Sequence, residues 1–186
     1  MKLLQKDKIL ITALILAVFF STNLFAEQET YINTEFGFEI TGPDGWYKQE
    51  LTKGQRELIH AGAQFTKTEG ENLPSIDVSV DLIKPVHRGK IKSALDFTKF
   101  MLSQYDQPGI EAKIQLVEPP QEVDVKGLVA SKVVFDVSGP KGTLRMADYK
   151  FMKGDLLISI LCVDYPGTFE YNFKDLESVI KSFKFR

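Results

Sequence analysis

A run of apolar segments joined by short links constrains the fold of this chain more than any other feature. The segments are Ala112–Glu118, Glu122–Val125, Leu128–Val137, Leu144–Met152 and Asp155–Asp164. The links carry Pro119-Pro120, Lys126-Gly127, Gly139-Pro-Lys-Gly142 and Lys153-Gly154. Short links that contain glycine are typical of hairpins, because glycine reaches the positive φ that a tight turn needs. The pattern therefore predicts an antiparallel meander of strands.

Further strands are predicted upstream of this run. The first structured segment is Ile32–Ile40, followed by the turn sequence Pro43-Asp-Gly-Trp46 and by predicted strands at Ala63–Lys67 and Ile76–Leu82. In the last of these, apolar residues alternate with Asp77, Ser79 and Asp81, which is typical of a strand with one solvated face. The two aspartates would lie about 13 Å apart, too far to act as an acid/base pair.

Two helices interrupt the strands. Ser93-Ala-Leu-Asp96 has the spacing of a capping box and opens a helix whose apolar positions are Ala94, Phe97, Met101 and Tyr105, with Pro108-Gly109 at its end. The second helix follows Pro166-Gly167, and its apolar stripe consists of Phe169, Phe173, Leu176, Ile180 and Phe183. Two helices are too few to alternate with every strand. We therefore expect an α+β fold with an antiparallel sheet and helices packed on its faces.

Residues 1–26 have the features of a secretory signal peptide. Lys2, Lys6 and Lys8 precede the apolar run Ile9–Phe20, and Ala26 is a small residue placed for cleavage. The apolar run is shorter than the about 20 residues that span a bilayer. We expect a mature chain of residues 27–186 that begins at Glu27, forms one domain and is periplasmic or secreted. No cysteine lies near the cleavage site, so we expect no lipid anchor and no membrane-spanning segment.

Charge and cysteine content exclude several classes of protein. Residues 1–26 carry three Lys and one Asp, which leaves 20 basic and 24 acidic residues and a net charge of −4 in the mature chain. That balance argues against nucleic acid as a partner, since phosphate binding needs a basic surface. Cys162 is the only cysteine and lies in an apolar strand, where we expect a buried thiol and no disulfide.

The order of elements and the motifs at both ends resemble the PsbP-like family. The motifs are Glu35-Phe-Gly-Phe-Glu-Ile-Thr-Gly-Pro-Asp-Gly-Trp46 and Ile180-Lys-Ser-Phe183. The resemblance implies an α-β-α sandwich with a central antiparallel sheet flanked by helices, and it implies non-enzymatic work. Members of the family assist photosystem assembly, and many bacterial members are exported proteins of unassigned role. No motif of the family assigns catalytic residues.

Candidate site residues are few. His60 and His87 are the only histidines, so we expect no metal, no cofactor and no catalytic site. Pro43, Gly45 and Trp46 are interpreted as structural, with Trp46 filling the core; a ligand platform is the alternative reading of this tryptophan. One local feature opposes the overall acidity, a basic stretch formed by Lys84, His87, Arg88, Lys90 and Lys92. It is either a solvated loop or a docking surface for an acidic partner or anionic lipid headgroups.

These observations favour a non-enzymatic exported binding or assembly module of the cell envelope, a monomer whose partner is an envelope protein or a small ligand. The alternative is a carrier for a small apolar ligand, held between the sheet and the phenylalanine-rich helices. A third hypothesis, an enzyme with an unrecognised site, has no motif to support it.

Overall fold

The computed structural model describes residues 28–49, 62–105 and 113–186, which fold as an α+β structure with antiparallel sheets and two helices. Residues 1–26, His60 and Pro108-Gly109 lie outside the described residues. The strands before the first helix are β1 (Thr30–Asn33), β2 (Phe38–Thr41), β3 (Tyr47–Lys48), β4 (Ala63–Thr66) and β5 (Ser75–Leu82). Then come α1 (Ala94–Tyr105), β6 (Lys113–Val125), β7 (Leu128–Gly139), β8 (Gly142–Lys153), β9 (Leu156–Asp164), α2 (Phe169–Ser182) and β10 (Lys184–Phe185).

The larger sheet has seven strands in the order β3-β4-β5-β9-β8-β7-β6, and every neighbouring pair is antiparallel. Strands β6 to β9 are consecutive hairpins, so the predicted meander is confirmed. The β6–β7 link is Lys126-Gly127, and both residues have positive φ, 51° and 83°. That conformation suits a two-residue hairpin turn, since its twist matches that of the strands. Strand β5 joins the meander by pairing with β9.

The prediction of two separate strands around Pro119-Pro120 is wrong. The described parts of Ala112–Glu118 and Glu122–Val125 belong to one strand, β6 (Lys113–Val125), whose register with β7 shifts between Leu116 and Gln121, around the two prolines. β6 is an edge strand, where a proline without an N–H removes no bond from a second neighbour. Ile32–Ile40 is a hairpin of β1 and β2, which turns at Gly37 with φ of 64°. β10 pairs with β2 and completes a second sheet of three strands.

The capping box at the start of α1 is confirmed. The Asp96 amide donates to Ser93 Oγ at 3.0 Å, and the Ser93 amide donates to Asp96 Oδ2 at 3.1 Å. The buried side of α1 differs from the predicted stripe. Ala94 and Thr98 are buried while Tyr105 is exposed. Thr98 can be buried because its hydroxyl has a partner in the sheet, Ser131 Oγ at 2.6 Å.

The apolar stripe of α2 packs into the core as predicted at four positions. Phe169, Leu176, Ile180 and Phe183 are all buried, and so is Val179, which the spacing did not include. Phe173 is only partly buried. Phe183 lies just after the helix, where its ring stacks on Phe151 with centroids 4.2 Å apart.

The two helices contact residues that point to opposite sides of the larger sheet. Lys150 and Phe151 are successive residues of β8, and successive side chains of a strand point to opposite faces. The Lys150 ammonium lies 6.0 Å from the Phe97 ring of α1, whereas Phe151 contacts Phe183 at the end of α2. The sheet therefore has an apolar side beneath α2 and a more polar side beneath α1.

Candidate functional site

The basic stretch forms a surface loop between β5 and α1, residues 84–92, which we call the basic loop. A 3-10 turn over Pro85–His87 and the buried side chain of Ile91 hold it against the domain. The His87 ring packs on Phe100 of α1, with centroids 4.9 Å apart. His87 and Ile91 therefore both attach the loop to the fold.

The cationic side chains of the basic loop point into solvent. Lys84, Arg88, Lys90 and Lys92 are all exposed. Arg88 pairs with Asp155 at 2.8 Å, and none of the three lysines has an ion-pair partner among the residues described. Two apolar side chains lie among these charges, Val86 at 73% exposed and Leu82 at 63%. This surface can attract an acidic partner and can also bury apolar area against it.

The residues interpreted as structural lie around the turn after β2. The Trp46 amide donates to the Pro43 carbonyl at 3.3 Å, and Gly45 has φ of 74°. A side chain on Gly42 would meet the Phe65 ring at 2.6 Å, so the chain needs glycine there. The Trp46 ring lies in the core, and its indole N–H donates to Asp175 Oδ2 at 3.1 Å. The geometry leaves no open ring face for a ligand.

A buried polar cluster under α1 is not predicted by the sequence patterns. Lys150 Nζ donates to Asp148 and, at 3.0 Å, to Ser159 Oγ, which in turn donates to Asp148 Oδ1 at 2.6 Å. A serine next to a lysine is an arrangement that some hydrolases use. Here the lysine is ion-paired and all three side chains are buried, so substrate has no access and the lysine is not free to act as a base. The signal that could have revealed the cluster is the pair of charges at alternate positions of an otherwise apolar strand.

A groove runs between the C-terminal half of α2 and the β6–β7 hairpin, and we call it the hairpin groove. Its first part has a volume of about 320 Å³ and is lined by Val123, Asp124, Val125, Lys126, Tyr149, Glu177, Ile180 and Lys181. Its second part, of about 410 Å³, is lined by Lys126, Leu128, Lys181, Ser182, Phe183, Lys184 and Phe185. Both volumes lie in the range of small-molecule sites. The groove has apolar walls and several lysines at its rim.

The other titratable groups that the sequence singled out do not form a site. Asp77 accepts hydrogen bonds from Gln64 at 2.7 Å and Ser75 at 3.0 Å, and it does not lie on an open solvated face as predicted. Burial raises the pKa of Asp77 above its usual range. Cys162 is buried, which raises the pKa of its thiol to about 12. In the described ranges, no three His, Cys, Asp or Glu side chains lie together as metal ligands would.

Neither helix in the part of the chain that the structure describes is long and apolar enough to cross a bilayer.

Comparison with known proteins gives a likeness of fold. No family model and no curated protein matches the sequence. Among solved structures, cyanobacterial PsbP (CyanoP) from Synechocystis has a TM-score of 0.62 at 16% identity, covering 89% of this chain and 95% of CyanoP. LpqN, involved in cell envelope biogenesis of Mycobacterium tuberculosis, has a TM-score of 0.55 at 12% identity, covering 90% and 95%. A Pseudomonas aeruginosa protein of unknown function has 0.54 at 11%, covering 86% and 97%. The PsbP-like resemblance is thus confirmed for the fold.

Proposed function

We propose that this chain is a non-enzymatic, exported binding or assembly module of the cell envelope. Three observations support the proposal: the signal-like residues 1–26, the likeness of fold to CyanoP and to an envelope-biogenesis protein, and the self-neutralised state of the buried Ser159–Lys150–Asp148 cluster. The intact mass of the exported protein tests whether residues 1–26 are removed on export. We expect the mass of a chain that begins at Glu27.

The proposal includes a three-layer α-β-α sandwich as the scaffold. The contacts of α1 with one side of β8, and of Phe183 at the end of α2 with the other side, support this arrangement. In such a scaffold the sheet holds both helices at fixed positions, and loops at its ends are free to contact other molecules.

The basic loop is the observation that carries the proposal. It places exposed cations and exposed Val86 on one surface of an otherwise acidic chain. Charges at the rim of an interface mainly increase the association rate, because they steer the encounter of the partners. We infer that the loop docks on an acidic surface in the envelope.

The test compares two variants with the same change in net charge. The docking variant replaces the exposed cations of the basic loop by glutamine, at Lys84, Arg88, Lys90 and Lys92. The control variant replaces exposed lysines elsewhere, at Lys99, Lys113, Lys141 and Lys174. Binding of both to an envelope fraction is measured at low and high salt, together with the denaturant midpoint.

We expect the docking variant to associate more slowly than wild type at low salt. The difference should shrink at high salt, because the distance over which exposed charges interact falls to about 8–10 Å or less. The control variant should stay near wild type, and folding should change by less than about 0.5 kcal/mol in both. Equal slowing in the two variants would show that only net charge matters. Equal binding of all three proteins at low salt would show that the loop is merely solvated.

A second candidate function is a carrier for a small apolar ligand, and the hairpin groove favours it. The first part of the groove lies between β6 and β8 of the sheet and α2, with walls formed by Val125 and Ile180. Native mass spectrometry of purified protein tests this function. A co-purified ligand supports it, and a protein that carries none after isolation from envelope and after incubation with an envelope lipid extract contradicts it.

A further inference from the structure

The hydroxyl of Tyr149 lies beside the hairpin groove. The Tyr149 side chain is only 7% exposed and lines the first part of the hairpin groove. Among the described residues no hydrogen-bond partner of this hydroxyl is present, and the atom is not sealed from the groove. Because every buried side-chain nitrogen and oxygen among the described residues has a partner, this unpaired hydroxyl must be accessible from the groove, where it can donate a hydrogen bond. The hydroxyl is therefore placed to bond to a groove occupant.

The hydroxyl keeps its proton at neutral pH. Burial, with smaller contributions from Glu177 and Glu118, raises the pKa of Tyr149 to about 12. A neutral hydroxyl donates a hydrogen bond to an anionic oxygen without adding a like charge.

Positive charge is available at the junction of the two parts of the groove. Lys126 and Lys181 line both parts. Lys126 has no ion-pair partner within the described ranges, and the hairpin turn fixes its backbone. Two acidic side chains also line the first part. Asp124 already accepts a hydrogen bond from the Gly127 amide at 3.2 Å, and Glu177 lies 3.9 Å from Lys181 in an exposed pair.

The second part of the groove is more cationic and more aromatic than the first. Lys184 adds a third ammonium, which lies 2.7 Å from Glu39 Oε1 in an ion pair. No acidic residue among those described lines this part of the groove. Leu128, Phe183 and Phe185 form its apolar walls. A ligand that contacts both the lysines and the apolar walls has an apolar chain and a negatively charged end.

We propose that the hairpin groove binds a single-chain amphiphile with a carboxylate head, which lies at the junction beside Lys126 and Lys181 and accepts a hydrogen bond from Tyr149. The apolar chain packs along the walls formed by Leu128 and Phe185. This inference rests on the second candidate function, and it adds the chemical class of the ligand and the three residues that recognise its head.

The experiment measures binding of two probes with the same chain, dodecanoate and 1-dodecanol, to delipidated mature protein by native mass spectrometry and calorimetry. Because a charge-assisted hydrogen bond is stronger than a neutral one, wild type should bind dodecanoate at least about tenfold more tightly than dodecanol. The double substitution Lys126→Gln and Lys181→Gln should remove most of that preference without weakening dodecanol binding. Tyr149→Phe should weaken dodecanoate binding several-fold.

A matched control is the double substitution Lys99→Gln and Lys113→Gln, at two exposed lysines that do not line the groove, which should leave dodecanoate binding at the wild-type level. Circular dichroism of each variant checks folding, and the lysine pair decides the proposal if Tyr149→Phe is unstable. Equal affinity for the two probes would overturn the carboxylate assignment and leave the carrier function standing. Failure of both probes would overturn the amphiphile site, and the native mass spectra of the purified protein then decide separately whether any ligand is carried.

Discussion

Truncation of Leu176 tests whether α2 is held to the sheet by its apolar side. Leu176 is fully buried and belongs to the same core cluster as Ile160 and Phe151. Leu→Ala at such a site removes transfer free energy and leaves a cavity, at a cost of about 2.7–5 kcal/mol. With an m-value of about 2 kcal/mol per molar urea, a cost of about 3–4 kcal/mol lowers the urea midpoint by roughly 1.5–2 M. Equilibrium unfolding followed by far-UV circular dichroism measures this shift.

Phe173→Ala is the matched comparison on the same helix. Phe173 is predicted from the spacing to be central to the stripe, which for a fully buried ring would cost about 3–5 kcal/mol. The ring is only partly buried, with Phe169 stacked 5.4 Å away and the Lys132 ammonium 5.2 Å from its centroid. We therefore expect about half that cost, roughly 2 kcal/mol. A larger loss for Phe173→Ala than for Leu176→Ala would refute the packing described for α2.

Three further predictions follow from buried and capping groups. Cys162, whose thiol pKa burial raises to about 12, should resist alkylation at pH 8 in the native protein and react once the protein is unfolded, as mass spectrometry would show. Lys150→Met leaves Asp148 buried without its cation and should cost about 3–5 kcal/mol in urea unfolding, whereas a variant with both residues replaced by apolar ones should lose less. The Lys92 amide donates to Asp96 and lowers the pKa of that carboxyl below its ordinary value of 3.8. Asp96→Asn should therefore destabilise the protein at pH values above 3.8, and the effect should be lost as the pH falls below the native-state pKa. Unfolding curves at pH 7 and pH 2 check this trend.

Local patterns in the sequence were sufficient to predict the hairpins of the larger sheet and the start of α1. Lys126-Gly127 has the chemistry of a tight turn, and Ser93 with Asp96 has the spacing of a capping box, so each prediction needed only neighbouring residues. The same local reasoning divided β6 at Pro119-Pro120. A proline ends a central strand but is tolerated at an edge, and the position of a strand in its sheet depends on partners elsewhere in the chain.

Several features that the sequence did not reveal depend on pairings between distant residues. Strand β5 pairs with β9, about 80 residues further along the chain, and the two residues of β10 pair with β2. The hairpin groove arises where α2 packs beside the β6–β7 hairpin, and Tyr149 lines it from a third element. Apolar periodicity indicates which side of an element is buried, but it does not specify which other element covers it.

Of the candidate site, the sequence predicted the basic residues but not their setting. Their proximity in the chain was enough to suggest a common surface. The exposure of Val86 among them, and the contact of His87 with Phe100, required the fold. The buried Lys150 pair was missed because a charge in a strand usually indicates a solvated face, and only the helix above it makes this face internal.

Hydrogen bonds as well as apolar burial hold α1 in place, and these bonds matter for the basic loop. Burial of apolar side chains is non-directional and by itself permits small shifts of a helix. Hydrogen bonds are directional, and α1 has two sets of them: Thr98 with Ser131 in the interface, and Asp96 with the amides of Lys92 and Ser93 at its start. Because Asp96 binds the last residue of the basic loop, the bonds that fix α1 also fix that end of the loop. A charged loop with a fixed end presents its cations in a restricted set of positions. This lowers the entropy cost of docking compared with a loop that is free at both ends.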